Sequence, residues 1–153
     1  MPDIPIKAFI ISVVPIRFSD DGCEILLLKR AQTLVGEWCQ VAGKIEDGET
    51  AWQAALRELS EETGLTPDAL YSGDIYEQFY EPDRDAITVA PVFVAIIGGN
   101  PAVQLNDEHS DFRWMTFDEA IEVVAFGGQR RILRWIEEEF VRRTPSEHLK
   151  IAF

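Results

Sequence analysis

The sequence predicts an α+β fold in which helices pack on the two sides of a mixed β-sheet. Strand patterns come first, a helix follows, and further strands precede the last helices, an order unlike the regular alternation of a parallel α/β fold. The chain of 153 residues is 46% hydrophobic, which is enough to bury one sizeable core. Because no repeat, low-complexity tract or linker interrupts it, we expect residues 1–153 to form a single domain.

The first part of the chain has the pattern of paired strands. Residues 6–16 are rich in Ile, Val and Phe and predict a strand. A turn at residues 19–22 separates them from a second apolar run at residues 23–30, and together these runs predict a hairpin. Residues 37–42 predict another short strand.

A helix is expected to begin after Thr50. The Thr50 hydroxyl suits the N-cap, and Gln53 occupies the capping-box position three residues later. Alanines and leucines then supply helix propensity and an apolar face. Gly64 is a suitable C-terminal stop, and Pro67 disfavours any continuation.

The second part of the chain begins with strand patterns at residues 73–80 and 86–97, and residues 111–115 predict a short strand. A helix is predicted over residues 117–126, where Gly127 and Gly128 are expected to break it.

The last predicted helix covers residues 129–143, where Ile132, Ile136 and Phe140 recur every four residues. The tail from Thr144 is expected to be irregular.

Charge and cysteine content narrow the classes of function. The formal net charge of −13 disfavours nucleic-acid polymers and anionic membranes as partners, although metal ions can let an acidic protein bind phosphates. Cys23 and Cys39 lack metal-ligand spacing, so reduced thiols in a cytoplasmic protein are expected. The apolar start follows Asp3 and has no cleavage site, which indicates a strand rather than a signal peptide.

Four charged residues crowd two turns of the first predicted helix: Arg57, Glu58, Glu61 and Glu62. Spacings of three and four residues put carboxylates on one helical face, where they suit a divalent cation. Glu58 and Glu62 lie roughly 6 Å apart along the axis, so the two could share one or two magnesium ions. The alternative is a solvated face with pairs such as Arg57 with Glu61.

The stretch around this helix, residues 43–65, reads GKIEDGETAWQAALRELSEETGL. Gly43 is followed by Glu49 and then by the Arg57-Glu58 pair, and the pattern ends at Gly64 and an aliphatic residue. This spacing resembles the Nudix box of the Nudix hydrolases, with every fixed position present. The resemblance implies a Nudix-type α/β/α sandwich that cleaves the phosphoanhydride of a nucleoside diphosphate linked to another group.

The resemblance also implies roles for the box residues. Glu58 and Glu62 would be the principal ligands of Mg²⁺, or of Mn²⁺ as a substitute, and Gly43 would add its backbone carbonyl. Glu61 would be a further ligand or a catalytic base. Arg57 would assist catalysis by orienting the ligands together with Glu49.

Outside the box, Glu108 lies in an acidic loop before the strand at residues 111–115. The loop resembles that of the family's dATP and dihydroneopterin triphosphate pyrophosphatases, which implies that Glu108 reaches the metal or activates water. The alternative is an ordinary solvated loop. His109 is expected to make local hydrogen bonds rather than to take part in catalysis.

Two residues outside the box, Arg30 and Trp38, are candidate contacts to the substrate. Arg30 ends the second strand, where it could meet a substrate phosphate, and Trp38 could stack on a base or belong to the core. Phe79, Tyr80 and Arg84 could shape a base pocket, but an aromatic strand followed by a turn is the favoured interpretation.

The favoured activity is hydrolysis of a (deoxy)nucleoside triphosphate to monophosphate and pyrophosphate, as in the dATP pyrophosphohydrolase-like subgroup. The enzymatic alternative is ADP-ribose or another nucleoside diphosphate derivative. A non-catalytic nucleotide-sensing module is the alternative from another class, but such a module is expected to lose the box glutamates. If the chain associates, a homodimer is the expected oligomer.

Overall fold

A mixed nine-stranded sheet forms the middle layer of the computed structural model, which describes residues 1–153. The strands are β1 (Ile6–Lys7), β2 (Ile10–Ser19), β3 (Gly22–Arg30), β4 (Trp38–Cys39), β5 (Val41–Lys44), β6 (Ala69–Glu81), β7 (Ala86–Ile96), β8 (His109–Met115) and β9 (Lys150–Ile151). The helices are α1 (Ala51–Thr63), α2 (Phe117–Val123) and α3 (Gly127–Ile136), the last followed by a π-helical segment, Glu137–Arg142.

The predicted hairpin is the centre of this sheet. β2 pairs antiparallel with β3 and parallel with β7, so the sheet is mixed, as expected. β5 pairs antiparallel with the start of β2, where Ile11 lies opposite Gly43. β8 pairs with β3 along most of its length, from Ile25 to Arg30. These two pairings bring β5 and the start of β8 toward one end of the hairpin.

Alternate side chains of β3 enter two separate cores. Ile25 and Leu27 pack in a cluster with residues of α2 and α3, whereas Leu26 and Leu28 pack in a cluster with residues of α1. All four side chains are fully buried. Because side chains of a strand alternate between faces, α1 covers one side of the sheet and the other helices cover the opposite side. The predicted α/β/α sandwich is therefore confirmed.

Helix α1 has the ends that its sequence predicts. The Thr50 hydroxyl accepts a hydrogen bond from the Gln53 backbone N–H at 3.2 Å, and the Gln53 side chain accepts one from the Thr50 N–H at 2.8 Å. Gly64 ends the helix with a φ of 73°, a left-handed conformation that glycine adopts without a Cβ penalty. These caps fix where the helix starts and stops, and so which of its side chains face the sheet.

The structure corrects the prediction for the paired glycines. Helix α2 ends at Val123, because Val124 is extended, with φ −72° and ψ 144°. Gly127 and Gly128 form the first turn of α3, where the Gln129 side chain accepts a hydrogen bond from the Phe126 N–H. The glycines therefore begin a helix instead of breaking one.

Two strand boundaries also differ from the prediction. β6 begins at Ala69 rather than near residue 73, because an irregularity between Ser72 and Tyr76 lets the strand continue through a segment with turn composition. The tail is not wholly irregular, since Lys150–Ile151 pairs with β6 as its outer neighbour. None of the helices combines the length and the hydropathy that a membrane-spanning helix needs.

Candidate active site

Two glutamates of α1 lie directly against the backbone of β5. The Glu58 carboxylate packs on Gly43 so closely that a Cβ there would lie 2.1 Å from its Cδ and 2.3 and 2.6 Å from its oxygens. The Glu62 carboxylate accepts a hydrogen bond from the Ala42 N–H at 3.3 Å. Only glycine leaves room for this approach, which gives a steric reason for Gly43 in addition to its place in the box.

A third carboxylate joins them from the loop before β8. Glu62, Glu108 and His109 each offer one ligand atom, and these atoms lie within 4.8 Å of one another. Burial, a hydrogen bond with Glu108 and the charge of Glu58 raise the pKa of Glu62 to about 9. Burial also raises the pKa of Glu58, against the opposing effect of Arg57. The cluster therefore needs a proton or a cation to offset its negative charge.

The buried imidazole of His109 faces this cluster. Its Nδ1 lies 4.0 Å from Glu62 Oε1 and has no hydrogen-bond partner in the protein, while its Nε2 lies 3.9 Å from Cys39 Sγ. Burial lowers the pKa of His109, which favours the neutral ring. His109 makes a local hydrogen bond through its backbone N–H, which donates to the Asn106 carbonyl at 3.4 Å, whereas its Nδ1 makes none. The sequence carried no signal for this inward position, because the strand was predicted to begin at residue 111 and the structure begins it at His109.

These groups fit a hard divalent cation. The fit comes from the carboxylate oxygens of Glu62 and Glu108, whereas the unpartnered imidazole nitrogen of His109 is a donor more typical of Zn²⁺ and other transition metals. The close approach at Gly43 adds the backbone of β5 to the same place.

Arg57 forms ion pairs with three carboxylates of the box. It binds Glu49 through Nε and Nη2, with Nη2 at 2.7 Å from Oε1, and it donates through Nη1 to Glu58 at 2.8 Å. Nη2 also donates to the Lys44 carbonyl at 2.8 Å. Hydrogen bonds with Glu49 and Glu58 raise the pKa of Arg57, and the Arg57 guanidinium lowers that of Glu49. Arg57 thus fixes Glu58 relative to the loop after β5.

Glu61 lies apart from this convergence. Its side chain is 54% exposed and contacts Arg57 Nη1 at 3.3 Å. Like Glu58, which accepts from the same Arg57 nitrogen, it is not one of the three residues Glu62, Glu108 and His109 whose ligand atoms lie within 4.8 Å of one another. The Arg57–Glu61 pair expected of a solvated helical face is present, but on the same helix Glu58 and Glu62 are buried.

A cavity of about 590 Å³ borders the carboxylates through Ala42, whose N–H contacts Glu62. Ten of its 19 lining residues are hydrophobic, and four of them are aromatic: Trp38, Phe79, Tyr80 and Phe126. Large aromatic surfaces beside polar groups are typical of pockets for planar ligands. A wider concavity of about 730 Å³ between α2 and α3 has one hydrophobic lining residue and, unlike the first cavity, includes no residue of β5.

Both predicted substrate contacts line the cavity. Arg30 donates through Nε to the Thr33 carbonyl at 2.8 Å and through Nη2 to the Thr33 hydroxyl, which holds the side chain in place. Trp38 is half-buried and packs against the core on the side of α2 and α3, so it belongs to the core and the cavity wall together.

The aromatic residues near the end of β6 also serve both the fold and the cavity wall. Phe79 and Tyr80 belong to β6, as the favoured interpretation expects, and both also line the cavity. Arg84 does not line it; its guanidinium pairs with Glu81 at 3.6 Å and lies 5.3 Å from the ring of Phe9.

The chain is similar to known proteins in sequence. The family model described as NUDIX domain matches residues 9–136. The bis(5'-nucleosyl)-tetraphosphatase [asymmetrical] of Sus scrofa is 30% identical over 120 residues, which cover 77% of this chain and 81% of that protein. Its counterpart in Caenorhabditis elegans is 28% identical over 109 residues, covering 71% and 79% of the two chains.

A solved structure extends the comparison to three dimensions. The crystal structure of a C. elegans Ap4A hydrolase binary complex superposes with a TM-score of 0.73 at 25% identity, covering 84% of this chain and 94% of that one. The chain belongs to the Nudix family, and it is a pyrophosphohydrolase of that family.

Proposed function

We propose that this chain is a magnesium-dependent hydrolase of nucleoside polyphosphates, with manganese as a substitute metal. One observation carries the proposal: a carboxylate cluster lies next to a partly aromatic cavity of about 590 Å³, which Ala42 lines while its N–H contacts Glu62. Ligand atoms of Glu62 and Glu108 lie within 4.8 Å of each other, and the charge of Glu58 is near enough to raise the pKa of Glu62. A negatively charged cluster repels a polyphosphate unless cations lie between them, so the cluster and the anionic substrate require the same metal.

The residues take distinct roles in this proposal. Glu58 and Glu62, with the Gly43 backbone, hold the metal, which when bound neutralises phosphate charge and polarises the scissile anhydride. Arg57 keeps the Glu58 carboxylate in position through the contacts described above. Glu108 is the proposed acceptor of the attacking water's proton, because its loop carboxylate is exposed and lies beside Glu62.

Glu61 is the other candidate for a ligand or base. Its exposed carboxylate lies on the Arg57 guanidinium rather than in the cluster, which supports Glu108 more strongly. Replacing each with glutamine separates them, because loss of the base lowers kcat at saturating magnesium.

The first candidate substrate is a dinucleoside tetraphosphate that is cleaved into unequal halves. It is supported by the relatives named bis(5'-nucleosyl)-tetraphosphatase [asymmetrical], whose similarity to this chain extends well beyond the box. The second candidate is a (deoxy)nucleoside triphosphate that yields monophosphate and pyrophosphate, which the Glu108 loop favours. The third candidate substrates are ADP-ribose and other nucleoside diphosphate derivatives.

A panel of these nucleotides, incubated with Mg²⁺ or Mn²⁺ and analysed by mass, tests the proposal. A dinucleoside tetraphosphate is expected to give a nucleoside triphosphate and a monophosphate. A nucleotide-sensing module would instead bind nucleotides tightly and release no product, and that result would refute the catalytic assignment. The Glu62→Gln variant is the negative control, since it keeps the shape of the site and removes one anionic ligand.

A further inference from the structure

A chain of side-chain hydrogen bonds runs along the wall of the cavity of about 590 Å³, and we call it the amide relay. Gln129 Nε2 donates to Gln40 Oε1 at 3.3 Å, and Gln40 Nε2 donates to Glu77 Oε2 at 3.0 Å. Both glutamines are buried, at 8% and 4% exposure, and all three side chains line the cavity. Three distant segments of the chain, from α3, the loop before β5, and β6, thus meet in one polar line.

The direction of the amide relay is set at its first member. The Phe126 backbone N–H, which can only donate, reaches Gln129 Oε1 at 3.1 Å. The Gln129 oxygen is therefore an acceptor, and its amide nitrogen must donate to Gln40. By the same logic the Gln40 nitrogen donates to Glu77. The orientation of both amides follows from one backbone group, so the last member must present an acceptor.

Glu77 is the end of this line. Gln40 is the only hydrogen-bond partner of its carboxylate, and no arginine or lysine forms an ion pair with it. Burial raises the pKa of Glu77, while the hydrogen bond from Gln40 opposes that shift. Its other oxygen, Oε1, has unused acceptor capacity at the wall of a cavity that also contains four aromatic side chains.

We propose that Glu77 selects the nucleobase by accepting a hydrogen bond from an exocyclic amino group, as adenine and guanine carry, and that it rejects bases with an oxo group there. This inference rests on the proposed function and adds its base specificity. An amino group donates to the carboxylate oxygen, whereas an oxo group would place two acceptors in contact. A mismatch at this partly buried hydrogen-bonding group is expected to lower kcat/KM by about 10- to 100-fold.

The direction of the amide relay predicts how the substitution Glu77→Gln changes the preference between amino and oxo bases. In Glu77→Gln, the new amide oxygen accepts from Gln40, because the direction of the amide relay is fixed. The new amide nitrogen then faces the cavity as a donor, which suits an oxo group. A residue that only stabilised the fold would change activity on all bases alike, whereas this substitution is expected to invert the preference.

The experiment measures kcat/KM for ATP against ITP and for GTP against XTP, in the presence of Mg²⁺. Within each pair an amino group is replaced by an oxo group and the neighbouring ring nitrogen gains a hydrogen, and the two pairs separate an adenine site from a guanine site. We expect the wild type to prefer the amino member of one pair by about 10-fold or more. Glu77→Gln is expected to invert that preference, and Glu77→Asp, which remains an acceptor, to keep its sign.

Glu81→Gln is the matched control. Glu81 lies four residues further along β6 and also lines the cavity, but its carboxylate accepts from the Thr88 hydroxyl and pairs with Arg84. Its substitution is expected to leave the amino-to-oxo ratio unchanged. Equal ratios in the wild type and Glu77→Gln, with both proteins folded and active, would overturn the inference.

Binding provides a measurement that does not depend on turnover. Calorimetric titration of the wild type and Glu77→Gln with AMP, IMP, GMP and XMP is expected to show the same preference and the same inversion. If no nucleotide is hydrolysed but this discrimination is present, the proposed function fails and the role of Glu77 stands. If nucleotides are hydrolysed but neither binding nor turnover discriminates, the role of Glu77 fails alone.

Discussion

The substitution Glu62→Gln should stabilise the metal-free protein and inactivate it. The pKa of Glu62 is raised from 4.5 to about 9, so at neutral pH folding takes up a proton or leaves a buried charge. The neutral amide removes that penalty, and it can still accept from the Ala42 N–H while donating to Glu108, as a protonated glutamic acid does.

The size and sign of the stability difference between the two proteins follow from the pKa of Glu62, because a pKa that differs between the folded and unfolded states makes stability depend on pH. Because the folded-state pKa is raised, the contribution of Glu62 to stability is fully present below pH 4.5 and is lost as the pH rises toward about 9. Each pH unit within that window costs about 1.4 kcal/mol, so at pH 7 the loss reaches roughly 3 kcal/mol. In EDTA the variant should therefore equal the wild type near pH 4.5 and exceed its stability by up to about 3 kcal/mol at pH 7.

Urea denaturation across this pH range, in EDTA and again in Mg²⁺, measures the effect. Magnesium should stabilise the wild type, since it binds the folded state, and should do so much less for the variant. Loss of a direct ligand should lower kcat/KM by about 100-fold or more, beyond the typical effect of removing an outer partner. A wild type that is as stable as the variant or more stable than it in EDTA at pH 7 would refute the account of Glu62.

Three further substitutions test the supports of the site. Gly43→Ala should displace the Glu58 carboxylate, whose atoms lie 2.1–2.6 Å from the added Cβ, so activity and Mg²⁺ affinity by calorimetry should fall together; unchanged affinity would contradict the steric argument. Arg57→Lys cannot reproduce the bidentate contact with Glu49 while also binding Glu58, and a loss of about 10- to 100-fold in kcat/KM is expected. Thr50→Ala should lower the urea-unfolding free energy by about 1 kcal/mol and leave KM unchanged, because only the cap of α1 is lost.

Local sequence rules predict α1 and its glutamates well. The capping box at Thr50 and the glycine stop at Gly64 depend on residues a few positions apart, and the structure contains both. The hairpin follows from a short turn between two apolar runs. Spacings of three and four residues placed Glu58 and Glu62 on one face, although the sequence alone did not indicate that this face is buried.

Local sequence rules do not predict contacts between segments that are distant in sequence. Glu108 reaches Glu62 only because β8 pairs with β3, and Gln129 reaches Gln40 across 89 positions of sequence. Glu77 has no distinguishing sequence pattern, since its environment comes from the glutamine that folding brings to it. The boundary between α2 and α3 was predicted wrongly at Gly127 and Gly128, because glycine occurs near helix starts as well as at helix ends.

The most direct test of the account is hydrolysis in ¹⁸O-labelled water, comparing the wild type with Glu62→Gln on the nucleotide panel. The account predicts that the wild type cleaves a nucleoside polyphosphate only with Mg²⁺ or Mn²⁺ present and places one label in one phosphate product. It predicts near-complete loss of labelled product in the variant or in EDTA. Product formation that persists equally in the variant, or in EDTA, would contradict the claim that the carboxylate cluster is the catalytic metal site.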